Sequence, residues 1–265
     1  MRTLSVAAFV VASLSLPADA GVGSNPLCQA GEAACVPVVV TEMTNRFDPI
    51  AASCSHDAVF SLLYLRTTET FRDTLSSISY GDKARVVRED AQFADYYTVA
   101  YDRFHNGQSV PEAWRIAFSA AQNRSVTSLG NALLGMNAHI RRDLAFTLYD
   151  LYAQGKPVSY SDHLKVNDFL AQVDVADEIR DRFDPTFDQL DISQISIVVI
   201  AAWRQIAWNN YLALKSAWGP AGRAIVAAAI EADAATNAAV IVAANGYGFG
   251  SSADRDAYCA ATGGQ

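Results

Sequence analysis

The sequence predicts an all-α protein, a single-domain bundle of about seven helices held by two disulfides. Over most of the chain, apolar residues recur at three- and four-residue steps, which is the period of an amphipathic helix. No segment has the regular alternation that identifies a half-buried strand. Four cysteines, an even number, follow an N-terminal stretch that is typical of secretion, and this pattern favours disulfides.

Length and composition are those of a globular protein with one large core. Of the 265 residues, 51% are hydrophobic and 18% are charged, which excludes disordered and collagen-like chains. The 28 acidic residues outnumber the 20 basic ones, and the net charge is −8. We therefore expect no nucleic-acid partner, because binding to phosphates needs a basic surface.

Residues 1–20 are predicted to be a secretory signal peptide. Arg2 gives a positive start, Leu4–Leu16 is apolar, and the tripeptide at 18–20 fits an A-x-A cleavage site before Gly21. The 13 apolar residues are too few to cross roughly 30 Å of hydrocarbon as a helix. We therefore expect a secreted or periplasmic protein without a transmembrane segment after cleavage; an uncleaved anchor is the alternative.

The mature chain divides into three parts. Residues 21–40 are expected to be a disulfide-containing segment, 41–244 the helical domain, and 245–265 a flexible tail rich in glycine and serine. We favour the pairings Cys28–Cys35 and Cys54–Cys259, and the other two pairings of four cysteines stay open.

The first three helices are recognised by their apolar stripes and their ends. The first carries the stripe at 58–71, and the second spans Lys83–His105 because Asn106-Gly107 ends its pattern. The third opens at Pro111, with Ser109 as the expected N-cap. The buried stripe of the second helix consists of Phe93, Tyr96, Tyr97, Ala100 and Phe104.

Four further helices follow. They are expected over 125–153, 161–182, 192–218 and 221–244. Gly155 ends the first of these, Ser161 caps the second, and Gly219-Pro220 separates the last two.

Polar residues inside apolar helices are the candidate functional residues. His139 and Asp143 are four residues apart and therefore share one helix face. His163 and Asn167 share a face in the same way in the next helix. Arg204 lies in the most apolar helix of the chain, where a buried guanidinium needs a carboxylate partner.

We expect these residues to meet in one polar pocket inside the bundle. The candidate catalytic residues are His139, Asp143 and Arg204. The candidate metal ligands are His139, Asp143 and His163. The candidate binding residues are Asn137, Asn167 and Trp208. A divalent metal ion is one cofactor that such a set would hold, and its bound water would then hydrolyse a phosphoester or lipid-like substrate.

Two other functions remain open. The same residues would orient the polar end of a small apolar ligand in a metal-free binding protein. Alternatively, they form a structural network in which His139 bonds to Asp143 along the helix and Arg204 belongs to an ion pair.

The segment at 134–144 reads LGMNAHIRRDL and resembles a family of uncharacterised, mostly microbial helical proteins. The hallmark of that family is similar to LGxNAHIxxDL, followed by a segment like 162–167 and by an arginine–tryptophan helix like the one at 203–208. The resemblance covers about residues 40–218 and implies an all-α domain, but no particular activity. It also implies that five polar residues converge, namely Asn137, His139, Asp143, Asn167 and Arg204.

Overall fold

A computed structural model describes residues 21–187, 196–248 and 250–264. The chain is 75% helical, and its described residues contain no strand, so the predicted all-α class is confirmed. A single antiparallel bridge joins Val126 to Gly246 in these ranges. The predicted signal peptide, residues 1–20, lies outside the described residues.

Eleven α-helices, rather than about seven, occur in the described residues. They are α1 (Pro26–Ala30), α2 (Cys35–Ala52), α3 (Ala58–Thr74), α4 (Lys83–His105), α5 (Glu112–Gln122), α6 (128–153), α7 (Tyr160–Leu170), α8 (Ala176–Arg182), α9 (Ile197–Ser216), α10 (Gly219–Ala244) and α11 (Ala253–Thr262). A short 3₁₀ turn, Val22–Ser24, precedes them.

Four helices account for the difference, and each has a local reason. The helix α1 has only five residues, too few to show a period, although Asn25 caps it and Pro26 opens it. The helix α2 begins at Cys35, so the expected boundary at residue 40 falls inside a helix. The expected helix 161–182 is two helices, α7 and α8, and the expected tail contains α11.

Two predicted N-caps are also wrong by two residues. The side chain of Ser159, rather than Ser161, accepts a hydrogen bond from the Asp162 amide at 3.1 Å and starts α7. Pro111, rather than Ser109, occupies the N-cap position of α5, where it makes no side-chain cap. Both errors concern helix ends, where local side-chain bonding rather than periodicity sets the boundary.

The helix α6 is continuous but not uniform. Its two α-helical parts, Ser128–Met136 and Leu144–Ala153, flank a π-helical segment, Asn137–Asp143. Just before this segment, α6 lies against Phe60 of α3, because Gly135 has no side chain. A β-carbon at Gly135 would lie 2.2 Å from the Phe60 ring. Wide turns of this kind occur frequently at functional sites.

Both favoured disulfide pairings are confirmed. Cys28–Cys35 joins α1 to α2, and Cys54–Cys259 joins the loop after α2 to α11. The C-terminal segment is therefore not a simple flexible tail, since Cys259 is fully buried and the Arg255 guanidinium donates to the Cys54 carbonyl at 2.6 Å. Two disulfides are typical of proteins in an oxidising, extracellular environment.

The helix α10 is the one described helix that is long and apolar enough to cross a membrane. Its most apolar 18-residue window has a mean hydropathy of 1.6, and 22% of that window is buried. Its buried residues, Ile230, Ala234, Ala238 and Ile241, recur at helical spacing, and the helix packs against α5, α6 and α9. One such helix is weak evidence for a membrane span, because mostly buried core helices and signal sequences pass the same test of length and composition.

Candidate functional site

The buried carboxylate of Asp143 is the centre of the candidate site. Its Oδ2 accepts hydrogen bonds from Trp114 Nε1 at 2.8 Å and from His139 Nδ1 at 3.3 Å. Its Oδ1 accepts from the guanidinium of Arg142, which also bonds to Glu231 of α10 at 2.7 Å. Asp143 therefore ties α6 to α5 directly and to α10 through Arg142.

The His139–Asp143 bond fixes the proton of the imidazole. A carboxylate only accepts hydrogen bonds, so Nδ1 of His139 carries a proton in the bond to Asp143. Burial lowers the pKa of His139, and the bond to Asp143 opposes this without reversing it. The effect of burial on the pKa thus outweighs that of Asp143, and the imidazole stays neutral. The remaining nitrogen, Nε2, is a free acceptor.

Aromatic rings hold the imidazole in place. Phe93 of α4 stacks on His139 with ring centroids 3.5 Å apart and planes inclined by 8°. Tyr64 of α3 meets the imidazole edge-on, with centroids 4.4 Å apart. The ring plane of His139 is thus fixed by packing on two sides and by Asp143 at Nδ1.

A cavity of about 240 Å³, the His139 pocket, lies against this imidazole. It is mostly apolar, and the helices α3, α4, α6, α7 and α9 contribute to its wall. Its defining residues are Leu63, Tyr64, Phe93, His139, Ile200 and Arg204. A neighbouring cavity of about 60 Å³ shares Tyr64, Phe93 and Arg204 with it and adds Glu89 and Asp90.

Five buried polar atoms of residues that line these two cavities have no hydrogen-bond partner among the described residues. They are Tyr64 Oη, Glu89 Oε2, Asp90 Oδ2, His139 Nε2 and Arg204 Nε. An unsatisfied buried polar group costs about 1–3 kcal/mol, so such groups rarely gather around an apolar cavity without a function. Their position makes these two cavities the candidate site of the described chain.

Arg204 is the fixed positive charge of the site. Its Nη2 donates to the His163 carbonyl at 2.7 Å and approaches His163 Nδ1 at 3.2 Å. Burial lowers the pKa of Arg204, and the nearby charge of Glu89 opposes this effect. The sequence predicted a carboxylate partner for Arg204. Among the described residues no carboxylate lies in ion-pair contact with this guanidinium, and the charge of Glu89 acts on it from a greater distance.

His163 supports Arg204 rather than lining the pocket. Its imidazole packs on Trp208 with ring centroids 4.9 Å apart. Burial, together with the charge of Arg204, lowers its pKa to about 2. The ring is therefore neutral and serves as part of the wall behind the guanidinium.

The three candidate binding residues do not meet at the pocket. Asn137 donates to the Ala234 carbonyl at 2.8 Å and accepts from Asn237 at 2.8 Å, which ties α6 to α10. Trp208 packs against His163 as described, and Asn167 contributes to neither cavity. Of the sequence-predicted site residues, only His139 and Arg204 line the His139 pocket, with Asp143 directly behind His139.

The candidate metal ligands are not assembled either. Among the described residues, no group of three or more histidine, cysteine, aspartate or glutamate side chains could hold a metal ion. Both oxygens of Asp143 are engaged by Trp114, His139 and Arg142, and His163 faces Arg204. The spacing of His139 and Asp143 therefore builds a hydrogen-bonded dyad here.

Sequence reasoning missed the polar residues of α3 and α4. Glu89 is 5% exposed, and it lies four residues before Phe93, on the buried stripe that was predicted for this helix. An acidic residue on an apolar helix face was the feature of the sequence that could have identified Glu89 as a buried polar residue. Tyr64 offered no comparable signal, because a tyrosine on an apolar face is ordinary core composition.

Comparison of the sequence with known protein families shows where the site lies within a family domain. The sequence profile of one protein family, described as "Family of unknown function (DUF5995)", matches residues 36–244. The chain belongs to this family. No significant match is found among curated proteins or among solved structures. The matched region of the DUF5995 family contains every helix that lines the His139 pocket, whereas Cys28, Cys35 and Cys259 lie outside it.

The buried Glu89 should make the stability of this DUF5995 protein depend on pH. Burial raises the pKa of Glu89 from 4.5 to about 7, with Arg204 opposing the rise. A raised carboxyl pKa stabilises the fold at low pH, and this contribution is lost as the pH rises from about 4.5 to 7. We expect Glu89→Gln to be more stable than the native chain above pH 7 by up to about 3 kcal/mol, and the gain to vanish below pH 4.5.

Urea unfolding from pH 4 to 8 measures this difference, with the exposed Glu32→Gln as the matched control. A pH-independent difference between Glu89→Gln and the native chain would show that Glu89 is not a buried, protonatable carboxyl.

Proposed function

We propose that this protein binds a small, largely apolar molecule with one polar end in the His139 pocket. The observation that carries the proposal is the buried His139 Nε2, an acceptor without a partner among the described residues, on a residue that lines an apolar cavity. Arg204 and Tyr64 add hydrogen-bond donors to the same wall. Apolar pockets with a few converging polar groups are the usual form of small-molecule sites.

The cavity limits the size and chemistry of the ligand. Its volume of about 240 Å³ is below the roughly 300–1,000 Å³ of pockets that hold drug-sized molecules. A hydroxyl or carboxylic acid group suits the polar end, since it can donate to His139 Nε2 and accept from Arg204. Such a ligand needs no metal ion, because the protein's own side chains supply the polar contacts.

We also propose that the protein acts outside the cytoplasm after removal of residues 1–20. The A-x-A tripeptide before Gly21 supports cleavage there, and the two disulfides support an oxidising compartment. A small-molecule or lipid-like ligand would then be met in the periplasm or outside the cell.

Filling the pocket should abolish binding. Ile200→Trp places a larger ring in the His139 pocket, whereas Leu212→Trp adds the same ring to an exposed position on the same helix. We expect 1-octanol, octanoic acid, phenol or benzoic acid to raise the melting temperature of the native chain and of Leu212→Trp, but not of Ile200→Trp. Mass spectrometry of the protein purified from its host would identify a carried ligand. Equal responses of the two tryptophan variants would contradict the proposal.

The His139–Asp143 dyad favours a second candidate function, ester hydrolysis by a general base. A carboxylate that orients Nδ1 and leaves Nε2 free is the arrangement by which histidine accepts a proton from a nucleophile or from water. In this mechanism Asp143 and Arg142 position the base, and Arg204 stabilises the negative charge that develops on the substrate.

Removing the base should remove this activity without unfolding the protein. We expect His139→Ala to lower p-nitrophenyl ester hydrolysis at least about 100-fold, since general-base catalysis contributes 10²–10⁴-fold. His139→Ala should also cost less stability than a core truncation. The control is His105→Ala, which changes a half-exposed histidine that lies outside the His139 pocket. Loss of folding together with activity, or equal rates in both variants, would exclude the catalytic role.

A further inference from the structure

Asp95 of α4 lies against the first residues of the described chain. Its Oδ2 accepts a hydrogen bond from the Gly23 amide at 2.9 Å. A β-carbon at Gly21 would lie 2.3 Å from Asp95 Oδ1, and one at Gly23 would lie 2.6 Å from Oδ2. A larger residue at either position would therefore require the Asp95 carboxylate to move.

Among the described residues, no cation pairs with the carboxylate of Asp95. Its Oδ1 is buried and has no hydrogen-bond partner among the described residues. Burial raises the pKa of Asp95 to about 6, the amides of Gly23 and Val22 lower it, and Glu42 raises it further. No arginine or lysine of the described chain forms an ion pair with it. This acid consequently has one unused acceptor that faces Gly21.

We propose that signal cleavage after Ala20 creates the missing partner, and that the α-ammonium of Gly21 binds Asp95 Oδ1; this inference rests on the removal of residues 1–20 proposed above. Because Oδ1 is 2.3 Å from the β-position of Gly21, the nitrogen on the same Cα lies within about 5 Å of it. In the uncleaved chain this nitrogen is a neutral amide. Cleavage adds a positive charge and two further donors at the place where the carboxylate needs them.

The proposed ion pair anchors the N-terminal segment to α4. Gly21 precedes the turn Val22–Ser24 and the helix α1, which carries Cys28. Arg88 of α4 holds the end of α1 by donating to the Gln29 and Ala30 carbonyls at 2.7 and 2.6 Å. Asp95 and Arg88 therefore hold the two ends of this segment, and only the proposed contact of Asp95 Oδ1 with the α-ammonium depends on processing.

Two open clefts, of about 370 and 810 Å³, border Gly21. A reagent in solution can therefore approach the amino group. Slow modification of this amine would report an ion pair with Asp95 rather than simple inaccessibility.

The first experiment combines N-terminal extension with removal of the carboxylate. Intact-mass analysis of the protein secreted with its own signal should give a chain that begins at Gly21. Fusion proteins cleaved in vitro then supply four proteins: chains that begin at Gly21 or at Ala20, each with the native Asp95 or with Asp95→Asn.

In the native background, we expect the extra Ala20 to lower the melting temperature by about 5 °C or more, because it moves the α-ammonium away from Asp95. In the Asp95→Asn background, the same extension should lower the melting temperature by less than about 2 °C.

The second experiment measures the amine itself. An N-hydroxysuccinimide ester at pH 7 should label the α-amine of the Gly21 chain at least about tenfold more slowly than that of its Asp95→Asn variant. A mature chain that begins elsewhere, an equal effect of the extension in both backgrounds, or equal labelling rates would each overturn the proposal. If Asp95→Asn does not fold, the Gly21 and Ala20 chains with native Asp95 decide, since equal stability and equal labelling contradict the ion pair.

Discussion

The site depends on one buried carboxylate, that of Asp143. Its two oxygens accept hydrogen bonds from Trp114, His139 and Arg142, so three donors share a charge that has no contact with solvent. Arg142 is equally buried and extends the network to Glu231. Removing Arg142 would leave the buried charge of Asp143 without its ion-pair partner, a change that costs roughly 3–5 kcal/mol. The helices α5, α6 and α10 are thereby fixed relative to one another, and the imidazole of His139 is fixed with them.

The helix that carries this network departs from α-helical geometry at the network itself. The π-helical segment Asn137–Asp143 contains most of the motif residues and places His139 against Phe93, while Asn137 faces α10. Gly135, one turn earlier, lets the ring of Phe60 lie directly on the helix. The result is an imidazole beside an apolar cavity, with one nitrogen bonded to Asp143 and the other without a partner among the described residues. The proposed binding and the proposed general-base catalysis both depend on that single arrangement.

The sequence predicted the helical class, both disulfides and the pair of His139 with Asp143, because these follow from local spacing and from cysteine parity. It did not predict which polar residues share the pocket. Asn137 and Arg204 look alike in sequence, as polar groups in apolar helices, yet one ties two helices together and the other lines the cavity. That difference depends on which helix packs opposite, and on contacts such as Glu89 near Arg204, which are distant in the chain. The sequence did not predict the helices α1 and α11, because helices this short show no clear period.

The central claim is that Asp143 holds His139 as a neutral ring with its proton on Nδ1 and a free Nε2. A long-range ¹H–¹⁵N NMR spectrum of the ¹⁵N-labelled protein at pH 7 tests it most directly, with His139→Gln identifying the resonances of this ring. The account predicts a protonated Nδ1 and an unprotonated Nε2. A proton on Nε2, or on both nitrogens, would contradict it.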